Sequence, residues 1–237
     1  TLTATARPYP RSLPLKNQNI VGDFYKDSKN NLWVNYSAAG KFYRISPNNQ
    51  KFELITYQGE PLKVSVQGIS EDQFGNIWVG GVDGGYFISI AKDGSVQAVF
   101  DLNSHPYFKQ QNLSLIRIFY RDPAHGFVWL GTDASGLFRI KVSESKSFKD
   151  FEIEQFTFDR NTPESLSSNF VTSIIRLPNN EFWVGTERGG ICQVLDSDKK
   201  PRFHAYTEKN GLSNNVVKSI ISSDGENLWV ATNIGLN

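Results

Sequence analysis

Methionine is absent from the sequence, and cysteine occurs once and histidine three times among the 237 residues. A single cysteine, Cys192, cannot form an internal disulfide framework or a cysteine-based metal cluster. We interpret it as a small core residue packed in a strand. Because the chain contains no methionine, it does not begin at a natural start codon, and we expect it to be a piece of a longer protein.

An excess of charge of either sign is also missing, since 25 basic and 24 acidic residues give a net charge of +1. This balance provides no electrostatic reason to expect nucleic acid or an anionic membrane as a partner. No apolar run approaches the roughly 18 residues of a membrane helix, and the N-terminus lacks the basic-then-apolar pattern of a signal peptide. We therefore expect no direct membrane insertion by these residues.

The sequence does contain a repeat, which is built around its five tryptophans. Each tryptophan lies in a short apolar segment such as Asn-Ile-Trp-Val-Gly or Glu-Phe-Trp-Val-Gly, and successive tryptophans are 45, 51, 54 and 46 residues apart. Periods in this range are typical of solenoids, propellers and arrays. The repeated residues are Trp33, Trp78, Trp129, Trp183 and Trp229.

Each repeat has the pattern of four antiparallel strands, which we name A to D. Strand A is a short β-branched apolar segment, strand B contains the tryptophan, and a turn rich in Asp, Asn and Gly joins them. Strand D alternates polar and apolar residues, as expected for a strand with one solvent-exposed face. A glycine seven residues after the tryptophan marks the B–C hairpin, where a Cβ would hinder the backbone; these glycines are Gly40, Gly85, Gly136 and Gly190. The pattern predicts an all-β fold, a β-propeller of four-stranded antiparallel blades.

The alignment predicts one partial propeller domain over residues 1–237, with about five blades that belong to a larger ring. The predicted blades span 19–57, 62–102, 113–159, 169–207 and, incompletely, 215–237. Residues 1–9 are predicted to be the outer strand of a preceding or closing blade. The fifth blade lacks a recognisable C strand, which favours missing blades over closure by this N-terminal strand.

The pattern Asp-x-x-Gly-Asn-hydrophobic-Trp-Val-Gly-Thr-x-x-Gly-Gly resembles the two-component regulator propeller repeat. The nearest matches are 74–81 and 181–186, whereas Asn35 and Ala231 replace the glycine that follows Trp-Val. The resemblance implies a periplasmic sensor region of a Bacteroidetes hybrid two-component histidine kinase, which detects glycan breakdown products. It implies an oligosaccharide ligand, a kinase outside these residues and a possible homodimer. No cofactor is expected, because no phosphate-cradling loop is present.

Residues that recur in every blade are interpreted as scaffold, so the repeat tryptophans are expected in the core between blades. A functional site is sought where the repeats differ, on the face that carries the B–C and D–A connections. The long D–A connection 101–113 offers His105, Tyr107 and Phe108 to a sugar ring, unless the aromatic pair tucks into the blade. Further candidates on the same rim, for which solvated surface charge is the alternative, are Asp133, Arg160, Glu187 and Arg188.

An enzyme is the less favoured alternative, with the propeller-shaped streptogramin lyases as the candidate class. The alignment places His105 in a D–A connection, His125 in an A–B turn and His204 in a D strand, so they do not converge on a metal or a general base. Paired rim carboxylates such as Asp133 and Glu187 could hydrolyse a glycoside if they lay about 5 to 10 Å apart. A protein-interaction propeller is the third class, and it shares every core feature with the sensor.

Overall fold

The computed structural model describes residues 21–36, 41–47, 51–111, 113, 115–144 and 147–237. The predicted outer strand at 1–9 and the predicted hairpin glycine Gly40 lie outside these ranges. The chain divides into two compact units, Thr1–Lys63 and Val64–Asn237, and each is described by itself.

The first unit contains one four-stranded antiparallel sheet and a short hairpin. The strands of the sheet, in the order in which they are hydrogen-bonded, are β1 (Val21–Lys26), β2 (Leu32–Tyr36), β3 (Lys41–Ile45) and β4 (Phe52–Leu54). The hairpin consists of β5 (Thr56–Tyr57) and β6 (Glu60–Pro61). Val34, Tyr36 and Ile45 form a small buried cluster on the sheet.

The second unit contains three four-stranded antiparallel sheets and one three-stranded sheet, in which neighbouring strands follow chain order. The four-stranded sheets are β7 (Val66–Glu71), β8 (Ile77–Gly81), β9 (Gly84–Ile90) and β10 (Val96–Asp101); β11 (Ile116–Arg121), β12 (Phe127–Thr132), β13 (Leu137–Lys141) and β14 (Glu152–Phe156); and β15 (Val171–Arg176), β16 (Phe182–Thr186), β17 (Ile191–Leu195) and β18 (Arg202–Tyr206). The last sheet has β19 (Val217–Ile221), β20 (Trp229–Thr232) and β21 (Gly235–Leu236).

We call the five sheets blades one to five in chain order, with strands A to D as defined above. The predicted all-β fold of four-stranded antiparallel blades is confirmed. Blade five has a two-residue third strand, β21, that the sequence did not indicate. Among the described residues the only α-helix is the short α1 (Pro106–Gln111), which lies in the connection between blades two and three.

The A strands of neighbouring blades contact one another throughout the second unit. Strand β7 lies against β11, β11 against β15, and β15 against β19. Gly68 on β7 permits this close approach, because a Cβ at this position would lie 3.0 Å from the Cα of Ile118. At the interface between β15 and β19, Ser173 Oγ instead accepts a hydrogen bond from the Ile220 N–H at 3.1 Å. Small residues on strand A therefore allow backbone-level contact between blades.

The repeat tryptophans of the second unit pack between adjacent blades, and in the first unit Trp33 packs against Phe42 of its own sheet. The exposed fraction of the residue is 0% for Trp33, Trp78 and Trp129 and 9% for Trp183. Ring centres lie 6.0 Å apart between Trp78 and Phe119 of the next blade, and 4.9 Å apart between Trp129 and Phe182 of the next blade. Trp229 differs, because 45% of it is exposed.

A carboxylate in or beside the A–B turn fixes the indole ring of these tryptophans. The indole Nε1 donates to Asp27 in blade one at 2.9 Å, to Asp72 in blade two at 3.1 Å and to Asp122 in blade three at 3.4 Å. Blade four uses Glu181 instead, at 3.1 Å from Nε1 of its tryptophan. The three aspartates are buried and also accept backbone N–H groups of their own turns. A buried donor therefore finds its acceptor within the same repeat.

Asp122 also joins blade three to blade four. Arg176 at the end of β15 donates from Nη2 to Asp122 Oδ2 at 2.6 Å and from Nε to Oδ1 at 2.8 Å. The Arg176 side chain is 4% exposed and that of Asp122 is 0% exposed. Burial acts to raise the pKa of Asp122, but the hydrogen bonds and positive charge of Arg176 outweigh it, and the pKa is lowered overall.

The B–C hairpins require their glycines. Gly136 and Gly190 have φ angles of +78° and +69°. A Cβ would lie 2.3 Å from the carbonyl oxygen of Phe156 at the first position and 2.1 Å from that of Tyr206 at the second. Gly85 does not have a positive φ, but a Cβ there would lie 2.7 Å from a carbonyl oxygen of β8. The hairpins therefore bring the backbone of strand C close to neighbouring strands.

Candidate functional site

The B–C turns and D–A connections of the second unit leave the strands at one end, which we call the rim face. It comprises the B–C turns 133–136 and 187–190 and the D–A connections 102–115, 157–170 and 207–216. Because the strands are antiparallel, the A–B turns lie at the opposite end of the sheets. The rim face carries every ligand-binding candidate predicted from the sequence.

Asp133 begins the B–C turn of blade three and forms an ion pair with Arg117 on β11. Arg117 Nη2 donates to Asp133 Oδ2 at 3.1 Å, and Arg117 Nε donates to Asp133 Oδ1. The Arg117 guanidinium also lies 5.0 Å from the ring centre of Phe170, at the end of the next D–A connection. The Arg117 side chain is 40% exposed, so its ion pair is partly open to solvent and to a ligand.

Glu187 begins the equivalent turn of blade four and continues this line of contacts. Its backbone N–H donates to the Phe170 carbonyl at 2.9 Å, and its Oε1 lies 3.7 Å from Lys218 Nζ on β19. The five residues Arg117, Asp133, Phe170, Glu187 and Lys218 form what we call the inner rim cluster. Exposed ion pairs of this kind add only about 0–1 kcal/mol to stability.

Arg188 follows Glu187 and has an unusual backbone. Its φ angle is +81°, a region that side chains other than glycine rarely adopt. Its side chain is exposed and, among the described residues, makes no hydrogen bond or ion pair. Strain of this kind costs on the order of 1–3 kcal/mol and is concentrated at functional sites. Arg160, on the connection 157–170, is also exposed, and its side chain likewise has no polar partner in the described ranges.

The aromatic candidates on the connection 102–115 separate into buried and half-buried residues. His105 is 4% exposed and Phe108 is 0% exposed, whereas Tyr107 is half-buried. His105 Nε2 donates to the Phe151 carbonyl at 3.2 Å, and its Nδ1 accepts the Tyr107 N–H at 3.2 Å, which fixes the neutral tautomer. Burial lowers the pKa of His105. The structure therefore places His105 and Phe108 in the packing between blades two and three.

Tyr107 reaches the rim of blade three through a glutamine. The Tyr107 hydroxyl donates to Gln155 Oε1 at 3.4 Å, and Gln155 Nε2 donates to the Ser135 carbonyl in the B–C turn at 2.8 Å. Tyr107 is thus the one member of the predicted aromatic trio that stays accessible beside the turn that contains Asp133.

Two polar residues and one aromatic residue of the rim were missed by sequence reasoning. Arg117 and Lys218 lie on A strands, which the pattern treated as wholly structural. Phe158 lies just beyond β14 and is 50% exposed. The signal was present for Phe158, since the equivalent positions of the other copies do not repeat an aromatic residue.

Residues 165–188 match the family model described as two component regulator propeller. This segment contains β15, β16 and the start of the B–C turn of blade four. Residues 165–188 are a two-component regulator propeller repeat. The resemblance predicted from the sequence is confirmed. A comparison with curated proteins finds no match.

Solved structures extend the likeness over nearly the whole chain. An extracellular domain of a hybrid two-component system from B. thetaiotaomicron matches with 20% identity and a TM-score of 0.66, over 100% of this chain and 30% of that chain. An extracellular domain of a one-component system from the same organism matches with 18% identity and a TM-score of 0.65, over 97% of this chain and 28% of that one. The chain therefore spans less than a third of these proteins.

A third similar structure is an enzyme, the virginiamycin B lyase of Staphylococcus aureus in a catalytically inactive form. It matches with 16% identity and a TM-score of 0.62, over 100% of this chain and 74% of that chain. At these identities the likenesses establish the fold, which is a β-propeller.

The three histidines of this propeller lie on separate elements. His105 is buried in the connection 102–115, His125 lies in the A–B turn of blade three, and His204 lies on the outer strand β18. His125 Nδ1 is 3.3 Å from Asp122 Oδ2, beside the buried ion pair at the end opposite the rim. Within the described ranges, no three His, Cys, Asp or Glu side chains are grouped to hold a metal ion. No helix in the described part of the chain is long and apolar enough to cross a membrane.

Proposed function

We propose that this chain is a ligand-sensing propeller module of a two-component signalling protein and lies outside the cytoplasm, in the periplasm. Its ligand is a glycan-derived oligosaccharide that binds the rim face, and the signal passes to a histidine kinase elsewhere in the longer protein. The two B. thetaiotaomicron structures, both extracellular domains of signalling systems, support this assignment.

The observation that carries the proposal is the overlap between the family repeat and the rim. The matched segment 165–188 contains Phe170 and ends at Glu187 and Arg188. The matched repeat therefore supplies two of the five residues of the inner rim cluster, Phe170 and Glu187, together with the adjacent Arg188. A strained, exposed arginine without a protein partner is a ready donor for the oxygen atoms of a ligand.

The chemistry of the cluster suits a polyhydroxylated ligand. Carboxylates accept hydrogen bonds from hydroxyl groups, while guanidinium and ammonium groups donate to hydroxyl and ring oxygens. The ion pairs of Arg117 with Asp133 and of Lys218 with Glu187 are partly exposed and keep these groups in place before a ligand arrives. Groups held in position lose less conformational entropy on binding.

We propose that the module is not catalytic. Glycoside hydrolysis needs a carboxyl group that protonates the leaving oxygen and a second one that acts as nucleophile or base. The pair of rim carboxylates considered from the sequence, Asp133 and Glu187, are each engaged by a cationic side chain. A histidine-based lyase mechanism at the rim face lacks support, because His105 is buried, His125 lies in an A–B turn at the opposite end of the sheets and His204 lies on the outer strand β18.

The experiment is calorimetric titration of the chain with defined oligosaccharides, comparing the wild type with Arg188→Ala. We expect at least one oligosaccharide to bind, and we expect the variant to weaken its affinity by about ten- to a hundredfold, as for loss of a charge-assisted hydrogen bond. Lys92→Ala, which removes an exposed cation from the C–D turn of blade two, is the matched control. Absence of binding to every sugar would contradict the proposal and favour the protein-interaction alternative.

A further inference from the structure

The connection from blade three to blade four begins with an exposed phenylalanine, Phe158. Its backbone N–H donates to Asn169 Oδ1 at 2.6 Å. Blade four repeats this bond, because the Glu208 N–H donates to Asn215 Oδ1 at 2.8 Å. Phe158 and Glu208 therefore occupy equivalent places in two copies of the same connection.

The scaffold does not need an aromatic ring at this place. In the blade-four copy the Glu208 carboxylate accepts the Asn215 N–H at 2.9 Å and Asn214 Nδ2 at 3.2 Å, which closes the connection. The Phe158 ring, by contrast, is half exposed and has no aromatic partner in the described part of the chain. Leaving that apolar area in water forgoes the stabilisation that burial provides.

Phe158 is followed by a connection that is fixed by a network around one carboxylate. The Asp159 N–H donates to Ser165 Oγ at 3.0 Å, and Ser165 Oγ donates to the Asp159 carbonyl at 2.9 Å. Asp159 Oδ1 accepts the Asn161 N–H at 2.9 Å, and Oδ2 accepts the Thr162 hydroxyl at 2.6 Å. The residue after Phe158 is therefore held on both sides, so the ring is presented from an ordered backbone.

Side chains that can donate hydrogen bonds lie close to the Phe158 backbone, at the other end of the same connection. Since Asn169 Oδ1 accepts the Phe158 N–H, its Nδ2 group points away and has no acceptor among the described residues. The next residue, Phe170, carries the partly exposed Arg117 guanidinium over its ring at 5.0 Å. An exposed aromatic face next to amide and guanidinium donors matches a pyranose ring, whose C–H face is apolar and whose edge carries oxygen acceptors.

We propose that Phe158 is the stacking platform for a pyranose ring at the rim face, with Asn169 and Arg117 donating to the oxygens of the sugar. This subsite rests on the proposed oligosaccharide-sensing function. The sugar packs its C–H face on the Phe158 ring, and its hydroxyl groups reach the amide and the guanidinium.

The test is calorimetric titration of the chain with maltohexaose, xylohexaose, mannohexaose, trigalacturonate and a chondroitin disaccharide. The variants are Phe158→Ala, Phe158→Trp and Phe158→Glu, the last of which copies the blade-four residue. Loss of an aromatic contact is expected to weaken binding about tenfold in the Ala and Glu variants. Phe158→Trp is expected to bind as well as the wild type or better. Phe74→Ala is the control, because Phe74 is 41% exposed but lies in an A–B turn at the opposite end of the sheets.

The outcomes distinguish failure of the proposed Phe158 subsite from failure of the proposed sensing function. If a sugar binds and Phe158→Ala and Phe158→Glu bind it as tightly as the wild type does, the stacking platform is wrong and oligosaccharide sensing stands. If Phe74→Ala loses affinity to the same extent, the effect is not specific to the rim and the platform is again wrong. If no sugar binds the wild type, the proposed function fails and the subsite fails with it. Should Phe158→Ala lower the melting temperature, Phe158→Glu decides the matter, because the fold already accommodates Glu at this place.

Discussion

Replacement of Asp122 by alanine should destabilise the second unit strongly. The change leaves the Arg176 guanidinium, whose side chain is 4% exposed, without its carboxylate partner. Removing one member of a buried ion pair typically costs about 3–5 kcal/mol, because the remaining charge stays buried and uncompensated. Part of the Arg176 charge remains solvated by the Asn180 carbonyl at 2.9 Å and the Ser197 hydroxyl at 2.9 Å, which favours the lower half of that range.

The measurement is thermal unfolding followed by circular dichroism. For a unit of this size each kcal/mol shifts the melting temperature by about 2–4 °C, so we expect a fall of about 6–15 °C. Asp72→Ala is the matched control, because Asp72 occupies the same turn position in blade two and binds its tryptophan at 3.1 Å without a cationic partner. Losing hydrogen bonds alone should cost about 1–3 kcal/mol, and the control should therefore melt at a higher temperature than Asp122→Ala.

A double variant distinguishes the energetic contribution of the ion pair from that of the hydrogen bonds within the turn. Asp122→Ala combined with Arg176→Met removes the stranded charge while keeping most of the apolar stem, so it should be more stable than Asp122→Ala alone. Equal melting temperatures for Asp122→Ala and Asp72→Ala, or a double variant less stable than the single one, would refute the view that this buried pair clamps blade three to blade four.

Three other residues of the second unit, Asp122, Gly190 and Trp129, give measurable expectations. The pKa of Asp122 is lowered below its ordinary value of 3.8 in the folded chain, so the ionised carboxylate stabilises the fold above that value, and this stabilisation is lost as the pH falls through the folded pKa. The difference in unfolding free energy between the wild type and Asp122→Asn, measured in urea, should therefore shrink as the pH is lowered from 5 to below the ordinary aspartate pKa. Gly190→Ala should lower the free energy of unfolding by about 1–3 kcal/mol or more, since φ is +69° and the Cβ meets a carbonyl oxygen at 2.1 Å. Gly211→Ala, with φ of +99° and open space around the Cβ, should lower it by less in the same urea titration. Trp129→Ala should cost about 3–5 kcal/mol as a buried aromatic truncation, and Trp229→Ala clearly less because Trp229 is 45% exposed; similar losses in the two variants would contradict the inter-blade role.

The architecture was predictable from the sequence because each blade has the same packing requirements, so the same residues recur in every copy of the repeat. A tryptophan buried between blades and a glycine such as Gly190, where a Cβ would strike a carbonyl oxygen, are needed in each copy, so they recur at a fixed spacing. The link between Asp122 and the tryptophan indole was not predicted, because aspartate in a turn is already explained by its bonds to backbone N–H groups. Its ion pair with Arg176 depends on which residues two adjacent blades bring together, and sequence spacing does not specify that.

The candidate site was predictable only in part. Glu187 and Arg188 stand out in the sequence because they differ from the other copies, and they do lie on the rim face. His105 and Phe108 lie on the connection identified from sequence, but this connection folds into α1 and turns both side chains into the core. The length of a connection does not reveal which of its aromatic residues point inward. Lys218 was missed because the A strands were treated as scaffold throughout.

A saccharide that binds the rim face should shift the backbone amide signals of that face, which NMR chemical-shift mapping measures residue by residue. An isotope-labelled sample of the chain would be titrated with the oligosaccharide that gives the largest calorimetric signal. We predict that the amide signals of Phe158, Asn169, Glu187 and Arg188 shift on titration, while those of the A–B turns 72–76 and 122–126 stay unchanged. Shifts confined to the A–B turns, or to the outer D strands, would contradict the account.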